Sequence, residues 1–179
     1  MLSIVIGIDP SYTGCGLIVL DTDTGELKHK EVITTNSKDS EIKRVRQIWT
    51  KIAVFLNTKE PVDVVSLEGL AFDKGEKAHQ MGYLHYRLRE YLESYKPKPT
   101  IIIPTPNQLK KFITGKGQVK KELILLNVYK RWGVEFDNNN LADAYGLAQL
   151  GRAFINKDIK LTSYQQEAIK AIRKEDKHG

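Results

Sequence analysis

Apolar residues follow two different spacings along this chain. Short runs rich in Val, Ile and Leu, bounded by turn-forming residues, are typical of buried strands. Such runs predict five strands, at residues 2–9, 14–20, 26–33, 62–68 and 100–103. Elsewhere the apolar residues recur every three or four positions, which is typical of amphipathic helices. This second spacing predicts helices at residues 39–57, 75–95, 107–113, 118–131, 141–154 and about 163–176, the last opening with a capping box at 163–166.

The order of these segments indicates an α/β fold. Only a turn, at residues 21–25, separates the second strand from the third, so we predict an antiparallel meander for the first three strands. The fourth and fifth strands each follow a helix, as parallel strands do. We therefore expect a five-stranded mixed sheet, with three antiparallel strands followed by two parallel ones and with helices on both faces. A length of 179 residues fits a single domain.

Positive charge is concentrated in one segment of the chain. Residues 107–131 contain seven Lys and Arg residues and a single acid, Glu122, so this segment alone accounts for the net charge of +6. A local positive excess favours a polyanionic partner, above all nucleic acid. The alternative is a solvated, lysine-rich helix surface that binds nothing.

The single cysteine and the short apolar runs restrict the class of protein further. Cys15 has no second cysteine with which to form a disulfide, and a zinc site built on several cysteines is excluded. No apolar stretch is long enough to span a bilayer, and no basic residue precedes Asp9 as it would in a signal peptide. We expect a protein of a reducing compartment, the cytoplasm, with no membrane partner.

Three acids occupy positions that this fold would bring together. Asp9 ends the first predicted strand, Glu68 ends the fourth, and Asp143 lies in the helix predicted at 141–154. Functional sites of open α/β sheets gather at the carboxyl ends of the strands. Carboxylates buried there need compensation, and all-oxygen ligands favour a hard divalent cation, Mg²⁺ or Mn²⁺. Two such ions would serve phosphodiester hydrolysis. The alternative is that each acid is a capping or surface residue.

The lysine-rich segment has features that suit phosphate. The Gly-Lys-Gly turn at 115–117 allows the backbone to approach a phosphate closely, and the helix predicted from Gln118 would present its N-terminus to an anion. A segment of this kind gives affinity that depends on salt and tolerates different sequences. We expect DNA contacts from the lysines around this turn, namely Lys110, Lys111, Lys116, Lys120 and Lys121.

Four motifs, in order along the chain, resemble those of RuvC-type Holliday junction resolvases. They are IGIDPS followed by YTGCG (residues 6–16), SLE (66–68), KKFITGKGQVKK (110–121) and NLADAYGLA (140–148). The resemblance implies an RNase H-like fold, a homodimer, and the paired, Mg²⁺-dependent nicking of four-way DNA junctions by two ions per site, with Mn²⁺ as a substitute. The general drift from the bacterial pattern points to a phage or prophage member.

The resemblance also assigns residues by their place in these motifs. Asp9, Glu68 and Asp143 match the metal ligands of the family, and Lys110 and Lys121 match its two functional basic residues. Phe72, four residues beyond Glu68, matches an aromatic that the family uses at the junction, with an offset of about one residue. Asn140 stands where bacterial members often have Asp or His. One helical turn separates Asn140 from Asp143, so its carbonyl oxygen could also reach the metal.

Three other functions share parts of this pattern. GIDPSYTG at residues 7–14 also resembles the phosphate motif of actin-like sugar kinases and chaperone ATPases, although those proteins need about twice this length. A nuclease that cuts RNA–DNA hybrids or other branched DNA would share the fold and the metal chemistry. A junction-binding protein without catalysis would share the lysines, but it would not need all three acids.

Overall fold

The computed structural model describes residues 3–70 and 76–175, and all the predicted strands and helices occur in it. In chain order, the elements are β1 (Ile4–Asp9), β2 (Cys15–Asp21), β3 (Leu27–Ile33), α1 (Glu41–Leu56), β4 (Val62–Leu67), α2 (Glu76–Ser94), β5 (Thr100–Ile102), α3 (Pro106–Thr114), α4 (Lys121–Trp132), α5 (Asn139–Ile155) and α6 (Ser163–Glu175). Across the described residues, no helix is both long enough and apolar enough to cross a membrane.

The five strands form one mixed sheet in the order β3-β2-β1-β4-β5. β1 pairs antiparallel with β2, and β2 pairs antiparallel with β3, which confirms the predicted meander. β4 lies parallel to β1, and β5 lies parallel to β4. The two parallel pairings follow from α1 and α2, which carry the chain back to the starting edge of the sheet. β1 is therefore the central strand.

Alternation along β1 separates its side chains between two helical layers. Ile4, Ile6 and Ile8 pack into the core formed with α1 and α2. The intervening side chains face α5 on the opposite side, where Val5 joins a second apolar cluster. Asp9 follows this alternation and so lies on the α5 side of the sheet. Asp9 at the end of β1 therefore faces α5, and not α1 or α2.

Two glycines allow α5 to lie directly on the sheet. A Cβ atom on Gly7 would stand 2.1 Å from the carbonyl oxygen of Ala144, and one on Gly16 would stand 2.2 Å from that of Asn140. Any larger residue at these two positions would push α5 away from β1 and β2. This close approach brings the first turns of α5, and Asp143 with them, to the carboxyl end of β1.

The predicted start of α4 was wrong by three residues, and the predicted cap of α6 was wrong by one residue. α4 begins at Lys121 and not at Gln118, because Gly115 ends α3 in the left-handed conformation with φ of 85° and the chain stays non-helical as far as Lys120. The cap of α6 is built on Thr162 and not on Ser163, since the Thr162 amide and hydroxyl both donate to Oε1 of Gln165. The loop before α4 is therefore longer than predicted.

Candidate active site

Asp9 and Glu68 are neighbours at the carboxyl edge of the sheet. Asp9 is the last residue of β1, and Glu68 directly follows β4. The Glu68 amide donates to the carbonyl of Ile8 at 3.0 Å, which extends the parallel pairing by one residue. Glu68 continues the alternation of Val64 and Ser66, both on the α5 side of the sheet. The two carboxyls consequently project toward the same helix.

Asp143 completes a cluster of three acids from three separate segments. All three residues are half-buried. Burial, then the charges of Glu68 and Asp143, hold the pKa of Asp9 well above its usual range. Burial and the charge of Asp143 raise the pKa of Glu68 to about 7. Burial raises the pKa of Asp143 to about 6. Each carboxylate is therefore costly to ionise in the company of the other two.

Lys110 and Lys121 supply positive charge to this cluster. Lys110 lies in α3, and Lys121 is the first residue of α4, on the other side of the glycine-containing loop. Both charges lower the pKa values of Glu68 and Asp143, and Lys121 also lowers that of Asp9. Burial still dominates, because all three pKa values remain raised. Two lysines therefore offset the acidic cluster only in part.

The chemistry of this cluster fits a hard divalent cation. Three half-buried carboxyls with raised pKa values offer oxygen ligands whose negative charge the protein leaves under-compensated. Among the residues that the structure describes, no three acidic, His or Cys side chains already stand in the arrangement of an ion cage. Because burial and the neighbouring acids favour the protonated carboxyls, an ion would bind there in exchange for protons.

Because ion binding releases protons from these carboxyls, the stability of the protein should depend on both pH and Mg²⁺. A carboxyl with a raised pKa favours the folded state below its ordinary pKa, and this contribution is lost as pH rises through about 7 for Glu68 and about 6 for Asp143. In EDTA, we expect Glu68→Gln to be the more stable protein at about pH 8, by ~2 kcal/mol, and to gain little at about pH 4. Millimolar Mg²⁺ should raise the melting temperature of the wild type at about pH 8 and raise that of Glu68→Gln less.

Thermal unfolding followed by circular dichroism at several pH values measures both effects. Asp63→Gln is the matched control, because Asp63 lies at the opposite end of β4 from Glu68. If the melting temperatures of the wild type and Glu68→Gln depended on pH in the same way in EDTA, ionisation of Glu68 would not destabilise the folded protein as expected.

The loop between β1 and β2 is clamped from the α1 side. The Arg44 guanidinium lies over the Tyr12 ring, 4.5 Å from its centroid, and Nη2 donates to the Tyr12 carbonyl at 3.0 Å. Arg44 Nε donates to the Thr35 hydroxyl at 2.6 Å, and this hydroxyl in turn donates to the Tyr12 carbonyl at 2.6 Å. These contacts fix the chain three residues beyond Asp9. Arg44 belongs to none of the four sequence motifs, and its place in α1 alone does not mark it as a partner of this loop.

Asn140 holds the same loop from the α5 side. Its Nδ2 donates to the carbonyl of Gly14 at 2.6 Å, and a Cβ atom on Gly14 would stand 2.8 Å from that nitrogen. This bond joins the start of α5 to the segment that follows Asp9. Asn140 is therefore adjacent to the acidic cluster, and only its amide oxygen remains to serve as a ligand.

The remaining lysines predicted to bind DNA differ in their surroundings. Lys111 forms an ion pair with Glu167 of α6 at 2.6 Å, so it points away from the acids. Lys116 and Lys120 are exposed on the loop between α3 and α4. Lys120 precedes the first turn of α4 without a side-chain cap, so the helix N-terminus stays open to an anion. Phe72 lies outside the described residues.

His85 of α2 is buried, with only 3% of the residue exposed. Helical spacing alone would place it on a solvent or interface face of this helix. Burial and the charge of Arg89 lower the pKa of His85 to about 4, and the ring lies near the Glu68 backbone. His85 is thus a neutral residue packed behind the acidic edge.

Known proteins are similar to this chain over most of its length. The family model for crossover junction endodeoxyribonuclease RuvC matches residues 5–150. The RuvC protein of Ehrlichia canis is 29% identical over 147 residues, covering 80% of this chain and 92% of its own. That of Rickettsia felis is 27% identical over 149 residues, covering 81% and 94%. The structure of Thermus thermophilus RuvC in complex with Holliday junction substrate has a TM-score of 0.69 at 26% identity, covering 82% of this chain and 90% of that chain.

Proposed function

The chain belongs to the crossover junction endodeoxyribonuclease RuvC family, and on that premise we propose that its acidic cluster resolves four-way DNA junctions by paired phosphodiester hydrolysis. Family membership makes it a junction-resolving endonuclease that depends on divalent metal ions and binds branched DNA. The observation that carries the residue-level proposal is the cluster of Asp9, Glu68 and Asp143 beside Lys110 and Lys121.

The three carboxyls are the proposed ligands of two Mg²⁺ ions, with Mn²⁺ as a substitute. Such ions, when bound, would supply Lewis-acid chemistry that activates the attacking water and stabilises the leaving oxygen. The carboxyls hold negative charge at a sheet edge from which side chains partly exclude water. Lys110 and Lys121 reduce the mutual repulsion of the carboxyls and can also face a phosphate. The site can therefore accept a negatively charged phosphodiester only after the negative charge of its own carboxyls is balanced.

Asn140 is proposed as a weaker, neutral ligand beside Asp143. An amide oxygen holds a divalent ion less strongly than a carboxylate does. We expect Asn140→Ala to need several-fold more Mg²⁺ for half-maximal cleavage, whereas Asn140→Asp should stay active and need less. Cleavage rate against Mg²⁺ concentration measures this. If the hydrogen bond to Gly14 were the whole role of Asn140, Asn140→Asp would fail alongside Asn140→Ala, because a carboxylate cannot donate to that carbonyl.

The DNA-contacting surface is proposed to run from Lys110 through the loop at 115–120 and along α4. Lys116 and Lys120 are exposed on that loop, and Lys130 is exposed near the end of α4. The open N-terminus of α4 adds backbone amides that suit a phosphate. Phe72 would add an aromatic contact at the junction, as the resemblance implies. We expect the protein to act where its DNA is, in the cytoplasm of a bacterial cell or of a phage-infected host.

A homodimer would present one site to each of the two strands that must be cut. A two-fold protein matches the two equivalent strands of a four-way junction. The outer face of α2 suits such a contact. Tyr86 is 65% exposed there, and a Cβ atom on Gly82, one turn earlier, would meet none of the described residues within 4 Å. A second helix could therefore approach the α2 backbone closely at Gly82.

A supercoiled plasmid that extrudes a cruciform tests the activity and the pairing together. Two coordinated incisions across the junction should give linear DNA directly, in Mg²⁺ and without ATP. Uncoordinated nicking by a monomer would give open circles first, which would contradict the dimer. An RNA–DNA hybrid and a plain duplex serve as competing substrates. Preferential hybrid cleavage would favour the RNase H-like alternative, and tight junction binding without any cleavage would favour a non-catalytic protein.

Lys121 and Lys130 should separate catalysis from binding. Lys121→Ala removes a cation whose charge reaches all three carboxyls, so we expect cleavage to fall by ~10²-fold and junction affinity to fall by only a few-fold. Lys130→Ala should weaken junction binding and lower its salt slope by about one unit, with cleavage at saturation unchanged. Single-turnover cleavage and salt-dependent binding curves measure the two quantities. Matching losses for the two variants would remove the special role of Lys121.

A further inference from the structure

A groove at the far end of α5 is not used by the acidic site. It lies between α5 and α6, with a volume of about 540 Å³. Its floor is apolar, formed by Ala153, Ile159, Leu161 and Ile169. Ala153 and Ile169 are also part of the buried core, so the floor is firmly anchored. A groove of this size suits a side chain and a few flanking residues of a ligand.

Among the described residues, the rim of this groove carries positive charge only. It contains Lys157, Lys170, Arg173 and Lys174, and no acid of residues 3–70 or 76–175 lines it. The Arg173 guanidinium is held in place, because Nη2 donates to the carbonyl of Phe154 at 2.6 Å and the group lies over the Phe154 ring. The three lysines have no ion pair within residues 3–70 and 76–175. The rim therefore combines one cation held by the protein, Arg173, with three exposed lysines.

The groove is separate from the catalytic edge in space and in sequence. Asn156, on its lining, follows Asp143 by thirteen residues, which is ~20 Å along a helix. Every lining residue comes after residue 150, where the match to the family model ends. The groove is thus built from a part of the chain that the family match does not include, and its role need not be that of the acidic site.

We propose that this groove binds an acidic peptide segment of a partner protein, with one apolar side chain of the segment seated on the floor. Charge complementarity favours an acidic ligand, since the described lining of the groove has four cations and no acid. The apolar floor favours a peptide over nucleic acid, because a phosphate backbone would leave Ile159 and Leu161 facing water. Such a segment would tether the nuclease to its partner through a site remote from the junction.

Peptide binding tests this without DNA or metal. The probe is the fluorescein-labelled peptide Asp-Glu-Asp-Phe-Asp-Glu-Asp, followed by fluorescence anisotropy in EDTA. We expect saturable binding with a Kd of ~10 μM, and roughly tenfold weaker binding when Gly replaces the Phe of the peptide. No saturation at millimolar protein would overturn the proposal. So would equal affinity for the Phe and Gly peptides, since this would leave the floor without a ligand.

Two sets of variants locate the binding to the groove. Lys170→Glu combined with Lys174→Glu should weaken peptide binding at least ~tenfold, and Ile159→Ser should weaken it several-fold. The matched control combines Lys38→Glu with Lys59→Glu, which makes the same charge change at exposed positions flanking α1 and should stay within about twofold of wild type. Circular dichroism melting verifies that each variant is folded.

A labelled DNA duplex distinguishes the competing ligand. The groove double variant should lose peptide binding far more than duplex binding at the same ionic strength. A larger loss for the duplex, with Ile159→Ser unchanged for the peptide, would make the rim a phosphate-contacting surface and overturn the proposal. Equal losses of peptide affinity in the groove and control double variants would mean that the peptide responds only to the net charge of the protein. This result would also overturn the proposal.

Discussion

Asp9→Asn and Glu68→Gln should each lower junction cleavage by at least ~10³-fold, while junction binding stays the same or becomes tighter. Each change keeps the volume of the side chain and removes one charged oxygen ligand from the sheet edge. Binding survives because the lysines are untouched and because less negative charge faces the DNA. Single-turnover cleavage of a synthetic four-way junction and a gel-shift titration in Ca²⁺ measure the two quantities.

The control is Asp63→Asn, at the opposite end of β4 from Glu68, which should cleave at the wild-type rate. Near wild-type cleavage by Asp9→Asn in Mg²⁺ would remove the central ligand of the proposed site. A parallel loss of cleavage and binding would instead mean that the substitution disturbs the fold. Melting curves decide that case, since removing one charge from a crowded cluster should stabilise the metal-free protein.

The acidic edge could be predicted because it depends on local regularities. Asp9 and Glu68 each end an apolar, β-branched run, and alternation along a strand determines which face an end residue shares. Two such strands in parallel bring their carboxyl ends together whatever the details of packing. Asp143 needed more than this rule. Its placement depends on Gly7 and Gly16, which let α5 lie directly on the sheet.

The clamp around the loop after Asp9 could not be predicted in the same way. Arg44 reaches Tyr12 from another element, and Asn140 reaches Gly14 across 126 positions of the chain. Neither contact leaves a periodic signal, because each depends on how two helices dock on opposite faces of the sheet. The burial of His85 could not be predicted for the same reason. Its helical position alone did not reveal that α2 turns it toward the sheet edge.

Lysines of one segment also diverged once the helices were packed. Lys110 and Lys111 are adjacent, yet the first acts on the carboxyl cluster and the second pairs with Glu167 of α6. Successive residues of a helix point about 100° apart, so a helix that lies between two neighbours divides its lysines between them. A basic segment read from sequence therefore overstates the number of cations that one DNA surface receives.

Asp143→Asn should be inactive at every Mg²⁺ concentration, with cleavage lowered by at least ~10³-fold. Asp143 supplies the only negative charge that α5 brings to the cluster among the described residues, since Asn140 beside it is neutral. Added Mg²⁺ should compensate for a weakened ligand, but it cannot replace the charge that draws the ion to this face of α5. Cleavage rates across a Mg²⁺ titration, with Mn²⁺ in parallel, separate these two situations.

Asp137→Asn provides the comparison within the same segment. Asp137 is exposed and precedes α5, so its substitution should leave the titration unchanged. Full rescue of Asp143→Asn by high Mg²⁺ would reduce Asp143 to an auxiliary ligand. If Asp143→Asn were active and Asp137→Asn were inactive, the third carboxylate ligand would be Asp137 and not Asp143. That result would also require the start of α5 to unwind, because Asp137 lies before the Asn138 cap and cannot share the face of Asp143 while the helix begins at Asn139.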